Sequence, residues 1–303
     1  MKSVKEFFIL TRVYSVVTSV MPALLGMMFA ALYYHQFQIG PSILLFVAVV
    51  AFHLAVNVHN TIVDYYKYQS QPQIFKNSVN NILNVRQITP RHAKTVAIVL
   101  TLISAIIGFY LVFRTGVFVL IIGILSFLIG YFYSGGLKSI SYSPFGEVVS
   151  GLTMGYNISL LAVYVNLAGS EAFEWNFIIK TALVSLVAVF AISNIMLANN
   201  ISDANEDEKV GRHTIVAYIG QKNSLLMWIV CYVLGYVAVI ASVILGYLPL
   251  YSLIAIVLTM PLVIINSIKF VKRPNKVVTF VNSVKNAQIL MISVLIGGLI
   301  SLF

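Results

Sequence analysis

A chain of 303 residues in which 60% are apolar and 9% are charged, with a mean hydropathy of +0.95, has the balance of an integral membrane protein. A bilayer crossing takes about 20 apolar residues, so this length gives several spans with short connections and leaves none for a separate soluble domain. The net charge of +10 comes from 19 Lys and Arg that border apolar stretches and form no basic domain, which excludes a nucleic-acid partner, and the single cysteine, Cys231, excludes a disulfide framework or a cysteine metal site.

In chain order, MKSVKEFF leads into the first apolar stretch, which is longer than a signal-peptide core and lacks a small-residue cleavage pattern. Hydropathy predicts helices over 10–34, 41–66, 92–113, 116–134, 146–168, 177–199, 223–246, 249–269 and 284–303. The expected fold is an all-α membrane protein of about nine transmembrane helices, with residues 1–303 forming a single domain. Long polar connections at 67–91, 135–145, 200–222 and 270–283 follow the even-numbered spans. A cytoplasmic N-terminus places 17 of the 19 Lys and Arg on the inner side and leaves Arg114 and Lys180 outside, so the positive-inside rule predicts that orientation in the plasma membrane. The bilayer is thus the first partner, and the inner-side cations suit anionic lipid or an anionic substrate.

The only three aspartates, Asp64, Asp203 and Asp207, all fall where a predicted span meets a long inner connection. Asp203 and Asp207 are four residues apart, so a sixth helix that continues through them puts both carboxylates on one face, with Asn199 or Asn200 one turn earlier. In AVNVHNTIVDYYKY, Asn57, Asn60, Asp64 and Lys67 recur at steps of three and four and form a polar stripe at the end of the second helix. Such side chains avoid lipid and face a protein interior or a water-filled cavity. Hard oxygen ligands of this kind suit Mg2+, which keeps part of its water shell and is completed by substrate phosphates. Each stripe alone also reads as a solvated helix end. Glu206 and Glu208 point to other faces, Glu171 and Glu174 lie on the outer side, and His53, His59 and His92 read as core or interface residues.

The pattern formed by Asn199, Asn200, Asp203, Asp207, Gly211, Arg212 and Thr214 resembles the second aspartate motif of the UbiA-type intramembrane prenyltransferases, and most of all their menaquinone-pathway branch. LTRVYSVVTSVMPALLG is similar to that branch's first helix, and FYSGGLKSISYSPFGEVVSG to its middle motif. The resemblance implies nine helices around a central cavity open to lipid, with a polar cytoplasmic mouth. There Mg2+, held by Asn60, Asp64, Asp203 and Asp207, binds the diphosphate of a polyprenyl donor; the allylic C–O bond ionises and the carbocation alkylates an aromatic acceptor, in this branch 1,4-dihydroxy-2-naphthoate, to give demethylmenaquinone. Lys67 and Arg212 join the aspartates as catalytic candidates. Asn57, Asn60, Tyr131, Tyr133, Lys138, Asn199, Asn200 and Lys209 are candidates for substrate binding, the tyrosines as rings that stabilise the cation.

The family's first motif usually reads N-D-x-x-D with a further Asp, whereas this chain has Asn60, Thr61, Asp64 and then Gln69, Ser70, Gln71. Two carboxylates are missing, and Thr61 offers a hydroxyl in place of one. This wall is expected to hold metal less tightly, and Thr61→Asp to lower the Mg2+ requirement. A catalytically impaired relative serving as a lipid- or quinone-binding membrane subunit would share the fold. A transporter with Asp64 and Asp203 as coupling sites would call for an internal repeat, and none is visible.

Overall fold

The computed structural model describes residues 4–70, 82–136, 139–209 and 211–302. Among them, nine helices are long and apolar enough to cross a membrane. They are α1 (Val17–Tyr33), α2 (Ile39–Ser70), α3 (Pro90–Thr115), α4 (Val117–Ser134), α5 (Gly146–Leu167), α6 (Phe177–Lys209), α7 (Ile215–Ile244), α8 (Leu250–Lys272) and α9 (Phe280–Ile300). The chain divides into two compact units, Met1–Val20 with Ile43–Ile140, and Met21–Ser42 with Ser141–Phe303.

In the first unit, the expected opening span is interrupted. A short helix, Val4–Leu10, stops at Arg12, whose φ of 49° is left-handed, and a 3-10 turn over Val13–Ser15 leads into α1. This conformation costs a non-glycine residue about 1–2 kcal/mol, so the surroundings must hold it. They do so through α2: the Asn57 amide donates to Thr11 O and to Ser15 Oγ, both at 2.9 Å, and Ser15 Oγ also meets His53 Nε2 at 2.9 Å. Leu10, Val58, Ile62, Leu83 and Ala93 form the local core. Thr89 caps α3 by accepting from the His92 backbone N–H, with Pro90 at the first helical position, where its missing N–H costs nothing.

The second unit is built on α6, which packs along α5, α7 and α9. Lipid offers no hydrophobic drive for helices to associate, so close approach and buried polar contacts hold them together. A π-helical stretch, Gly151–Asn157, lies within α5. It sets Gly155 so close to the α6 backbone that a Cβ there would lie 2.6 Å from Val189 N. Farther along, Asn194 of α6 and Trp228 of α7 exchange hydrogen bonds through their backbone carbonyls, and Trp228 Nε1 also reaches Ser283 Oγ of α9 at 3.2 Å. Every partner in this clasp is buried, so it joins three helices without exposing a polar group to lipid.

The expected boundaries move most around the acidic segment. The sixth helix runs on through the acidic segment to Lys209, and the seventh begins at Ile215 rather than 223. At Gly220 (φ 75°, ψ 162°) α7 is kinked, so its apolar body starts where hydropathy places it and a short helical turn precedes it.

Candidate active site

In the second unit, the continuation of α6 puts Asn199, Asn200, Asp203 and Asp207 along its last turns. Asp203 and Asp207 are only 8% and 6% exposed. Both sit near the negative end of the helix dipole, where a carboxylate is disfavoured, so each needs a cation. Lys276, from the connection between α8 and α9, supplies one: its ammonium bridges Asn199 Oδ1 and Asp203 Oδ2, the latter at 2.5 Å. Asn199 Nδ2 donates to the same Asp203 oxygen at 3.3 Å.

Arg212 supplies the other, and the backbone explains why it follows a glycine. Gly211 (φ 66°) closes α6: its N–H bonds to Glu208 O at 3.2 Å, and the Arg212 N–H bonds to Asp207 O at 2.9 Å. This is the Schellman ending, in which the left-handed position falls to glycine. The chain folds back, and the Arg212 guanidinium lands on the helix it has just left, with Nη1 3.2 Å from Asp207 Oδ1, Nη2 3.2 Å from Asn200 Oδ1 and Nε 2.8 Å from Ser141 O. The spacing from Asp207 through Gly211 to Arg212 is therefore a helix terminator that returns a cation to its own carboxylate.

Asn200 in turn donates to Glu147 Oε1 at 2.8 Å. Glu147, in the first turn of α5, is 1% exposed and is brought against α6 by Ser193 Oγ, which donates to its backbone carbonyl at 3.0 Å. Two buried carboxylate oxygens in this network, Asp207 Oδ2 and Glu147 Oε2, have no hydrogen-bond partner. Orphaned acceptors of this kind fit a cation or its water shell. No group of three or more His, Cys, Asp or Glu able to hold a metal occurs among the described residues. A donor set of two aspartates and two asparagine amides therefore suits Mg2+ completed by water and phosphate oxygens better than an all-protein cage.

In the first unit, Asp64 lies 3.6 Å from Arg12 Nη2, Lys67 is half-buried in the last turns of α2, and Asn60 Oδ1 is buried without a hydrogen-bond partner. Asn57 holds the Thr11–Ser15 segment. Thr61 does not offer its hydroxyl outward as expected: it is 1% exposed and donates to the Asn57 carbonyl of its own helix at 2.9 Å. Tyr131 is exposed and stacks on His59 at 5.1 Å, and Tyr133 is half-buried near the end of α4. Lys138 lies outside the described residues. Lys209 is the exposed last residue of α6. Sequence reasoning gave no role to Lys276 or Glu147. The signals were a lysine in the last polar connection and an acid inside an apolar span.

Among the described residues, a helical fold with nine membrane-length helices and a buried Asn–Asp network at the end of one of them defines a polytopic membrane protein with a polar site at a helix terminus. The UbiA prenyltransferase family profile matches residues 19–299, and the chain belongs to this family. It is similar to 1,4-dihydroxy-2-naphthoate octaprenyltransferase of Bacillus subtilis (strain 168), 27% identical over 242 residues that cover 78% of this chain and 73% of that one. Its fold is similar to the apo structure of a UbiA homolog from Aeropyrum pernix K1, with a TM-score of 0.75, 18% identity and coverage of 96% and 99%. It also resembles a UbiA homolog from Archaeoglobus fulgidus bound to GPP and Mg2+, with a TM-score of 0.65, 15% identity and coverage of 97% and 98%.

Proposed function

We propose that this chain transfers a polyprenyl group from polyprenyl diphosphate to an aromatic acceptor, 1,4-dihydroxy-2-naphthoate, with residues 1–303 working as one catalytic domain in the plasma membrane and the N-terminus in the cytoplasm. The observation that carries the reading is the α6 network of Asn199, Asn200, Asp203, Asp207 and Arg212, in which buried oxygens and adjacent cations suit a metal-bound diphosphate. The Bacillus subtilis relative supports the acceptor, and the Archaeoglobus fulgidus homolog, whose solved form holds GPP and Mg2+, supports the donor class and the metal.

Asp203, Asp207, Asn199 and Asn200 would hold Mg2+, with Asn60 and Asp64 as a second set. The metal supplies Lewis-acid neutralisation of the diphosphate charge. Arg212 and Lys209 would meet the diphosphate oxygens, and Lys67 is the corresponding cation of the α2 stripe; Arg212 presents a planar fork suited to such oxygens and is already oriented by Ser141 and Asn200. The allylic C–O bond breaks with its electron pair leaving on the diphosphate, a C–C bond forms to the acceptor ring, and the ring regains aromaticity as its carboxylate leaves as CO2, the C–C bonding pair returning to the ring. Apolar helices keep water from the cationic prenyl carbon while rings such as Tyr131 and Tyr133 stabilise it. Purified protein given polyprenyl diphosphate, Mg2+ and the dihydroxynaphthoate should release pyrophosphate and form a prenylated naphthoquinol. Binding of the prenyl diphosphate with no pyrophosphate release would favour the lipid-binding subunit instead.

A further inference from the structure

Lys276 is not left to wander at the site; the chain builds a turn to hold it. Between α8 and α9, Asn275 Oδ1 accepts from the backbone N–H groups of Val277 and Val278 at 3.0 and 2.9 Å. Thr279 Oγ1 donates to Arg273 O at 2.7 Å and accepts from the Asn275 N–H at 2.9 Å. Asn275 O takes the Thr279 and Phe280 N–H groups at 3.0 and 2.9 Å. The short polar side chains thus answer the backbone groups on both sides of Lys276. From this turn the ammonium passes 5.3 Å from the centroid of the Phe280 ring and ends on Asn199 and Asp203.

An ammonium that bridges a carboxylate oxygen and an amide oxygen makes the contacts that a bound metal ion would make. Two of its three donors are used there, which leaves one for an anion. With Arg212 on Asp207 and Lys276 on Asp203, each α6 aspartate is paired with a cation of the chain itself. We propose that Lys276 is a resident cation of the diphosphate site: it pairs with Asp203, competes with Mg2+ there, and turns its charge to the diphosphate when the donor binds. The inference rests on the reading of α6 as the diphosphate wall. It accounts for how a chain short of first-motif carboxylates balances a diphosphate, one cation being covalently part of the protein.

Two binding measurements on the purified full chain test it, neither of them turnover: Mg2+ alone, and geranyl diphosphate alone in chelator, each by calorimetry, with geranyl diphosphate plus Mg2+ on wild type as the control. In Lys276→Met, Mg2+ should bind about tenfold more tightly because Asp203 is released, while metal-free geranyl diphosphate should bind about tenfold more weakly, each on the scale of one charge-assisted hydrogen bond. Lys276→Arg should stay near wild type in both. Opposite signs cannot come from a damaged fold, which would weaken both. If Lys276→Met matches wild type in both measurements, or weakens both, the resident-cation role is wrong and the α6 reading stands. If wild-type protein binds no geranyl diphosphate even with Mg2+, the α6 reading falls and takes this inference with it.

Discussion

The polar stripes on α2 and α6 look alike as spacing patterns and differ in what their side chains do. On α6, Asn199, Asn200, Asp203 and Asp207 are met by side chains from outside the helix, Lys276, Arg212 and Glu147, and one carboxylate oxygen, Asp207 Oδ2, remains unanswered. On α2, Asn57 spends its amide on the break at Thr11–Ser15 and Thr61 spends its hydroxyl on its own helix, while Asp64 keeps a looser 3.6 Å ion pair with Arg12. Polar residues at steps of three and four therefore mark a face that avoids lipid, but not its task. One stripe gathers buried charge that other segments answer; the other is partly occupied with holding an irregular backbone.

Several substitutions probe that contrast. Arg212→Ala removes the cation that α6 folds back onto itself and should lower kcat/KM by about 100- to 1000-fold, the scale seen when one preorganised charge-stabilising donor is lost. A smaller loss, about 10- to 100-fold, is expected for Asp64→Ala on the α2 stripe. Steady-state kinetics on both variants would undo the contrast if Asp64 proved the costlier loss. Gly211→Ala has open space around its Cβ but must adopt a φ of 66°, which costs about 1–2 kcal/mol. It should reduce kcat/KM by about tenfold while the spans stay folded, and Gly211→Asn, which tolerates that conformation better, should recover part of the loss. For Thr61→Asp the buried, inward-bonded hydroxyl reverses the expectation from sequence: thermal stability should fall by about 1–3 kcal/mol as a carboxylate is buried without a partner, and the Mg2+ requirement should not drop. A lower Mg2+ midpoint in that variant would return Thr61 to the metal-facing side of α2.

The spans were legible because a run of apolar residues long enough to cross a bilayer leaves the backbone no alternative to helix. The α6 motif was legible for a local reason: Asp207, Gly211 and Arg212 close one helix terminus, and their relation is written within five residues. The break at Arg12 was hidden because it depends on Asn57, which lies 46 residues from Thr11. Lys276 and Glu147 were hidden for the same reason, since their partners on α6 lie 73 and 53 residues away in sequence. Gly220 misled in a smaller way: a kink inside a helix separates a polar turn from the apolar body, and hydropathy sees only the body.

The central claim is that the α6 wall handles the diphosphate, and single-turnover pyrophosphate release tests it most directly. Wild type should release pyrophosphate in a Mg2+-dependent manner with prenyl diphosphate and dihydroxynaphthoate, while Asp203→Ala and Asp207→Ala should each abolish release and remain folded in membrane. Near-normal release from both variants would contradict the account.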